Sequence, residues 1–92
     1  MYYVYILQSQ QNQQFYTGFT SDLKTRITQH NSGKSTYTSM HRPYDLIYYE
    51  ASTNRVDATA REKYLKSGMG KRYLKNRLKH QLNKDTVVSE RL

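Results

Sequence analysis

Residues 2–9, YYVYILQS, run together β-branched and aromatic side chains without a helical period, which predicts a strand. The polar stretch QQNQQ (10–14) follows as a hairpin loop, and FYTGFT (15–20) reads as the return strand. Gly18 inside that strand predicts a bulge or a close approach by another group. A helix is expected over about 22–31, with Leu23 and Ile27 as its packing side. Ser21 is its candidate N-cap, Asp22 sits favourably for the helix dipole, and Gly33 is a C-terminal stop. A loop carrying the only proline leads to a third strand, DLIYYEA (45–51). Thr53 or Asn54 can cap a helix over about 55–67, SGMG (67–70) breaks it, and a last helix runs over about 71–82 with Leu74, Leu78 and Leu82 four residues apart. The order β-β-α-β-α-α predicts a small α/β (α+β) domain over 1–82, a three-stranded antiparallel sheet flanked by helices. A tail, 83–92, shows no clear pattern.

Composition narrows this picture. A chain of 92 residues allows one domain. Only 36% of residues are hydrophobic, yet 13% are aromatic and ten are tyrosines, so the core is expected to be small and tyrosine-rich. The lack of cysteine excludes disulfides, thiolate chemistry and cysteine-ligated zinc. No apolar run approaches the roughly 18 residues of a membrane span, and the N-terminus lacks a basic leader. The expectation is a cytoplasmic protein without a membrane partner.

The net charge is +8, with a pI near 9.8. Eight Lys or Arg lie between Arg61 and His80, with Glu62 the one acid among them. Such a segment suits a polyanion, nucleic acid first and an anionic membrane surface second, and a solvated helix face is the plain alternative. Glu62 falls on the same side of its helix as Ala58, Leu65 and Met69. A carboxylate in that position must be paired, bound to a metal, or located at the rim of a cleft. Arg61 and Lys66 are ordinary candidates for the pairing.

On the earlier helix, Arg26 and His30 stand one turn apart. With strand tyrosines Tyr5 and Tyr16, inward Glu62 and late Asn76, they form an ordered set. VYI (4–6), followed by YTG (16–18), resembles the paired signature of the GIY-YIG nuclease domain. SDLKTRITQHNSG (21–33) is similar to that family's helix with its catalytic arginine, here Arg26, and its His/Tyr position, here His30. ATAREKYLKSG (58–68) is similar to the helix with the metal-binding glutamate, here Glu62. The resemblance spans about residues 2–80 and looks like the small single-domain bacterial branch. Val4 and Thr17 depart from the signature but keep strand character. Phe19, Thr20 and Ser21 stand where some members carry a lysine.

The resemblance implies an endonuclease that hydrolyses phosphodiester bonds, with DNA as the nucleic-acid partner. Tyr5 would take a proton from water and Tyr16 would bond the phosphate or the water, two roles the spacing allows to be exchanged, and Glu62 would hold one Mg²⁺ or Mn²⁺ ion. The chemistry is sensible on its own terms. Arg26 can give two parallel bonds to phosphate and keeps its charge, and one carboxylate suffices for such an ion when water and phosphate complete the shell. An unperturbed phenol has a pKa of about 10 and needs help to act as a base. His30 could exchange protons or only orient Tyr5. Lys66, Lys71, Arg72, Lys75 and Asn76 are the expected nucleic-acid contacts. A binding module without catalysis, with Tyr64 and Tyr73 interleaved among the cations, and a nuclease subunit that needs a protein partner are the competing functions.

Overall fold

The computed structural model describes residues 1–82. Two strands, β1 (Tyr2–Ser9) and β2 (Phe15–Thr20), form a hairpin. Helix α1 (Leu23–Asn31), a 3₁₀ turn (Ser39–His41) and β3 (Tyr44–Ser52) follow, then α2 (Arg55–Lys66), α3 (Gly68–Arg77) and the short α4 (Lys79–Leu82). The sheet is antiparallel in the order β2-β1-β3, so β1 is central. The fold is thus the expected α+β arrangement. The proposed tail, 83–92, lies outside the described residues. Among those described, no helix is long and apolar enough to cross a membrane.

The central place of β1 explains its composition. Val4, Tyr5, Ile6 and Leu7 are all buried, because both faces of this strand are covered. Val4 and Ile6 pack with Ala58, Leu65 and Leu74 from α2 and α3. Tyr5 and Leu7 point the other way, to Tyr44, Tyr16 and the Leu23–Ile27 side of α1. Burying a side chain such as Ile6 or Leu65 contributes about 1.5–3 kcal/mol relative to exposure. The pairing of β1 with β3 shifts register between Ile6 and Leu7.

Capping sets the helix boundaries. Asp22, not Ser21, caps α1: its carboxylate accepts from the Thr25 backbone N–H at 3.2 Å. Beyond the helix, Gly33 takes a φ of +83°, as the expected stop requires. Asn54 caps α2 by accepting from Val56 and Asp57. The break between α2 and α3 is narrower than SGMG. Ser67 ends one helix and caps the next, accepting from the Gly70 N–H at 3.2 Å, so Gly68, Met69 and Gly70 already belong to α3. A Cβ at Gly70 would run into the backbone of Tyr64 and Leu65, which explains the glycine at this tight corner. The same corner turns Met69 out to solvent, 69% exposed, away from the Ala58–Leu65 side it was expected to join. The expected helix over 71–82 is divided, ending as α3 at Arg77 and resuming as α4 at Lys79.

The hairpin loop and the loop before β3 are tied together. Buried Ser9 donates to the His41 carbonyl at 2.6 Å and accepts from the Gln11 N–H at 3.0 Å. The Gln10 N–H donates to the Pro43 carbonyl at 2.9 Å. Asn31, at the end of α1, bonds both backbone groups of Tyr44, accepting at 2.7 Å and donating at 3.2 Å. These contacts hold the C-terminal turn of α1, and His30 with it, against the start of β3.

Candidate active site

Tyr5 and Gly18 are cross-strand partners on one face of the sheet, as are Leu7 and Tyr16. The Tyr5 ring therefore lies over Gly18. A Cβ at Gly18 would overlap the Tyr5 ring and its hydroxyl. The glycine makes room for Tyr5, not for an incoming backbone, and its φ is not in the left-handed region.

The Tyr5 hydroxyl is hydrogen-bonded to His30 Nε2 at 2.8 Å. The other ring nitrogen, Nδ1, is 2.7 Å from the Thr38 hydroxyl. Tyr5, His30 and Thr38 are 1%, 0% and 0% exposed. Tyr16 packs edge-on against His30 with centroids 5.0 Å apart, and against Tyr37 at 5.5 Å. Burial pushes the Tyr5 phenol up to about 12, with the Tyr16 and Glu62 charges in the same sense and the nearby Arg26 guanidinium opposing. Burial, assisted by Arg26, pulls His30 down to about 4. Both groups are thus held neutral at neutral pH.

Arg26 is half-buried, and its Nη1 donates to Gln29 Oε1 at 3.0 Å. Glu62 approaches from α2, its side chain 22% exposed and paired to Lys66 at 3.2 Å. Of the expected pairings for this carboxylate, Lys66 is the one formed. Arg61 instead bonds Glu50 of β3 through Nε and Nη2, at 2.9–3.0 Å. Its guanidinium lies between the rings of Tyr64 and Tyr73, 5.1 and 4.7 Å from their centroids. These two tyrosines serve that clasp rather than standing free among the cations. The Tyr48 hydroxyl completes it by donating to Glu50 at 2.8 Å.

Tyr5, Tyr16 and His30 are brought into contact by β1, β2 and α1, and the Arg26 guanidinium and Glu62 carboxylate are close enough to shift the Tyr5 phenol. Of these five, Tyr16 lines an adjoining groove of ≈ 880 Å³, together with Tyr37, Lys66, Lys71 and Lys75. Lys71 and Lys75 are one turn apart on α3, which puts both on the groove side. Arg72 and Asn76 lie one residue further round the helix, are exposed and do not line it. Sequence reasoning missed Thr38, the 81%-exposed Tyr37 and Asn31. The first two sit in a polar loop without periodicity, and only the three-dimensional path of that loop brings them to His30 and Tyr16.

Among the described residues no group of three or more His, Asp or Glu gathers to cage a metal. Glu62 alone fits a Mg²⁺-type ion, which commonly takes one or two carboxylates and completes its shell with water and phosphate oxygens. Lys66 is the competing cation on that carboxylate.

The site thus sets a tyrosine-histidine pair on one face of a small antiparallel sheet, with a helix glutamate close enough to act on the tyrosine. A family model for the GIY-YIG catalytic domain matches residues 1–74, and the chain belongs to that family. It is similar to UPF0213 proteins. One from Pediococcus acidilactici is 37% identical over 91 residues, covering 96% of this chain and 88% of the relative. One from Clostridium perfringens is 42% identical over 67 residues, covering 72% and 71%. The solution NMR structure of a UPF0213 protein from Bacillus halodurans is 36% identical, with a TM-score of 0.51 over 80% of this chain and 82% of that one.

Proposed function

We propose that the protein is a metal-dependent endonuclease that hydrolyses phosphodiester bonds in DNA. One observation carries the reading: the Tyr5–His30 pair, with Arg26 and Glu62 close enough to act on Tyr5, packs against Tyr16, which lines a groove together with Lys66, Lys71 and Lys75. Lysines along the groove hold a phosphate backbone by charge. Arg26 keeps donors beyond the one given to Gln29 and meets the phosphate where negative charge builds. Tyr16, with its ring at the groove wall, bonds a phosphate oxygen. Tyr5 faces the attacking water. A divalent ion on Glu62 supplies further positive charge beside the phosphate when bound.

The test is cleavage of duplex, nicked, branched and single-stranded DNA, and of RNA, with Mg²⁺ or Mn²⁺. Glu62→Gln and Arg26→Ala are expected to abolish activity while the fold survives. Absence of any cleavage that these substitutions remove would sink the reading. The Lys66–Glu62 pair favours one alternative, a phosphate-binding groove without catalysis. Binding would then need no metal, fall steeply with salt, and persist in Glu62→Gln.

A further inference from the structure

Tyr5, His30 and Thr38 form a buried row of two hydrogen bonds, 2.8 Å at Nε2 and 2.7 Å at Nδ1. A neutral imidazole donates from one nitrogen and accepts on the other. The row can therefore run in only two directions. In one, Tyr5 donates to Nε2 and Nδ1–H donates to Thr38, which leaves the Thr38 hydroxyl hydrogen over. In the other, Thr38 donates to Nδ1 and Nε2–H donates to the Tyr5 oxygen, which leaves the Tyr5 hydrogen over.

The two ends differ in what they offer that spare hydrogen. Thr38 is 0% exposed, and among the described residues its hydroxyl bonds only His30. A hydrogen left there would be a sealed donor without an acceptor, an arrangement that native interiors avoid. The Tyr5 ring instead packs against Tyr16, centroids 6.4 Å apart, and Tyr16 lines the groove. Of the two ends, the Tyr5 end is the one next to groove water, which can accept the spare hydrogen.

We infer that Thr38 donates to His30 Nδ1 and thereby holds the imidazole in its Nε2–H form, with Nε2 donating to the Tyr5 oxygen. Thr38 is then a positioning residue that acts through His30. Its own place is fixed by the His41 N–H, which donates to the Thr38 carbonyl at 3.2 Å, and by Ser9 on the His41 carbonyl. With His30 as donor, the Tyr5 hydrogen turns toward the substrate side. When Tyr5 gives that proton to water in the groove, its oxygen already faces an N–H, and no ring has to turn. This catalytic consequence rests on the nuclease reading; the direction of the hydrogen bonds does not.

The test begins with ring ¹⁵N–¹H correlations of His30 in the wild-type protein at neutral pH, without nucleic acid. The expected spectrum has the proton on Nε2 and a bare Nδ1; a proton on Nδ1 overturns the inference. This measurement stands apart from cleavage, so a protein that cuts nothing would sink the nuclease reading alone. Thr38→Val removes the donor at nearly constant shape, and Thr38→Ser restores it. In Thr38→Val, with the fold checked by its amide spectrum, turnover is expected to fall about tenfold at unchanged KM, with loss of the single Nε2–H form. Thr38→Ser is expected to recover both. A folded valine variant with wild-type turnover and an intact Nε2–H form overturns the positioning role. Should that variant not fold, the wild-type ring spectrum decides.

Discussion

Gly18→Ala adds one methyl group to a strand, a change that usually stabilises by roughly 0.5–1 kcal/mol because glycine is the more costly residue to order. Here the sign is expected to reverse. The new Cβ would overlap the Tyr5 ring and hydroxyl, and Tyr5, at 1% exposure and bonded to His30 at 2.8 Å, has no space to retreat into. Overpacking of this kind costs about 1–3 kcal/mol. For a domain of this size each kcal/mol lowers Tm by roughly 4–8 °C. The discriminating measurement is a double-mutant cycle in urea. In a Tyr5→Leu background the ring is gone, so Gly18→Ala should become neutral or mildly stabilising. The coupling between the two sites is then about 1–3 kcal/mol. An equal cost of Gly18→Ala in both backgrounds would refute the claim that Gly18 exists to seat Tyr5. It would point instead to a backbone requirement.

Arg61→Ala is expected to lower stability by about 2 kcal/mol in urea unfolding, because it leaves Glu50 with Tyr48 as its one remaining side-chain donor among the described residues and empties the space between Tyr64 and Tyr73. Arg61→Lys should recover less than half, since an ammonium cannot reproduce the two-point bond or the stacking. His30, faced by Tyr5, Tyr16 and Arg26, has a folded pKa of about 4 against 6.5 when free. Between those values the unfolded chain takes up a proton that the folded chain refuses. Its contribution is whole above pH 6.5 and is lost as pH falls toward 4, about 3 kcal/mol in all. Urea midpoints measured across that range should lose this slope in His30→Gln; an unchanged slope contradicts the assignment. Lys66→Gln removes the cation competing at Glu62. Mn²⁺ is then expected to bind about two- to fivefold more tightly in an EPR titration without nucleic acid, and equal or weaker binding would argue against metal at that carboxylate.

What was legible in the sequence was whatever repeats locally. β1, β2 and β3 announce themselves through β-branched and aromatic runs, and α1 through the spacing of Leu23 and Ile27. The ordered set of Tyr5, Tyr16, Arg26, His30 and Glu62 was legible as a resemblance, because each lies on a regular element. What could not be read depended on contacts between segments. Asp22 and Ser21 are equally good caps by residue type, and the Thr25 N–H chose the former. Met69 fits the α2 wheel only if the helix continues, and the Ser67 cap ends it. Gly18 announced a close approach but not its object, which is a side chain from the neighbouring strand. Thr38 carried no signal at all, since its role depends on a loop pinned by Ser9.

The pair at the centre of the site also sharpens what His30 can do. Tyr5 is raised to about 12 and His30 lowered to about 4, each chiefly by burial. Although 2.8 Å apart, they are driven in opposite senses, and both away from neutrality. Moving the phenol proton onto this imidazole would create two buried charges from none, which the same burial opposes. His30 therefore suits orientation and hydrogen bonding better than storage of a proton. The group that eases Tyr5 toward its charged form is Arg26, whose guanidinium already opposes the upward shift. On this account an arginine-to-glutamine change would do more than remove a phosphate contact: it would leave Tyr5 still harder to deprotonate. Arg26→Gln should accordingly move the alkaline titration of Tyr5, followed by phenolate absorbance, to higher pH in the free protein. A fall, or no movement, would separate Arg26 from Tyr5 and confine it to the phosphate.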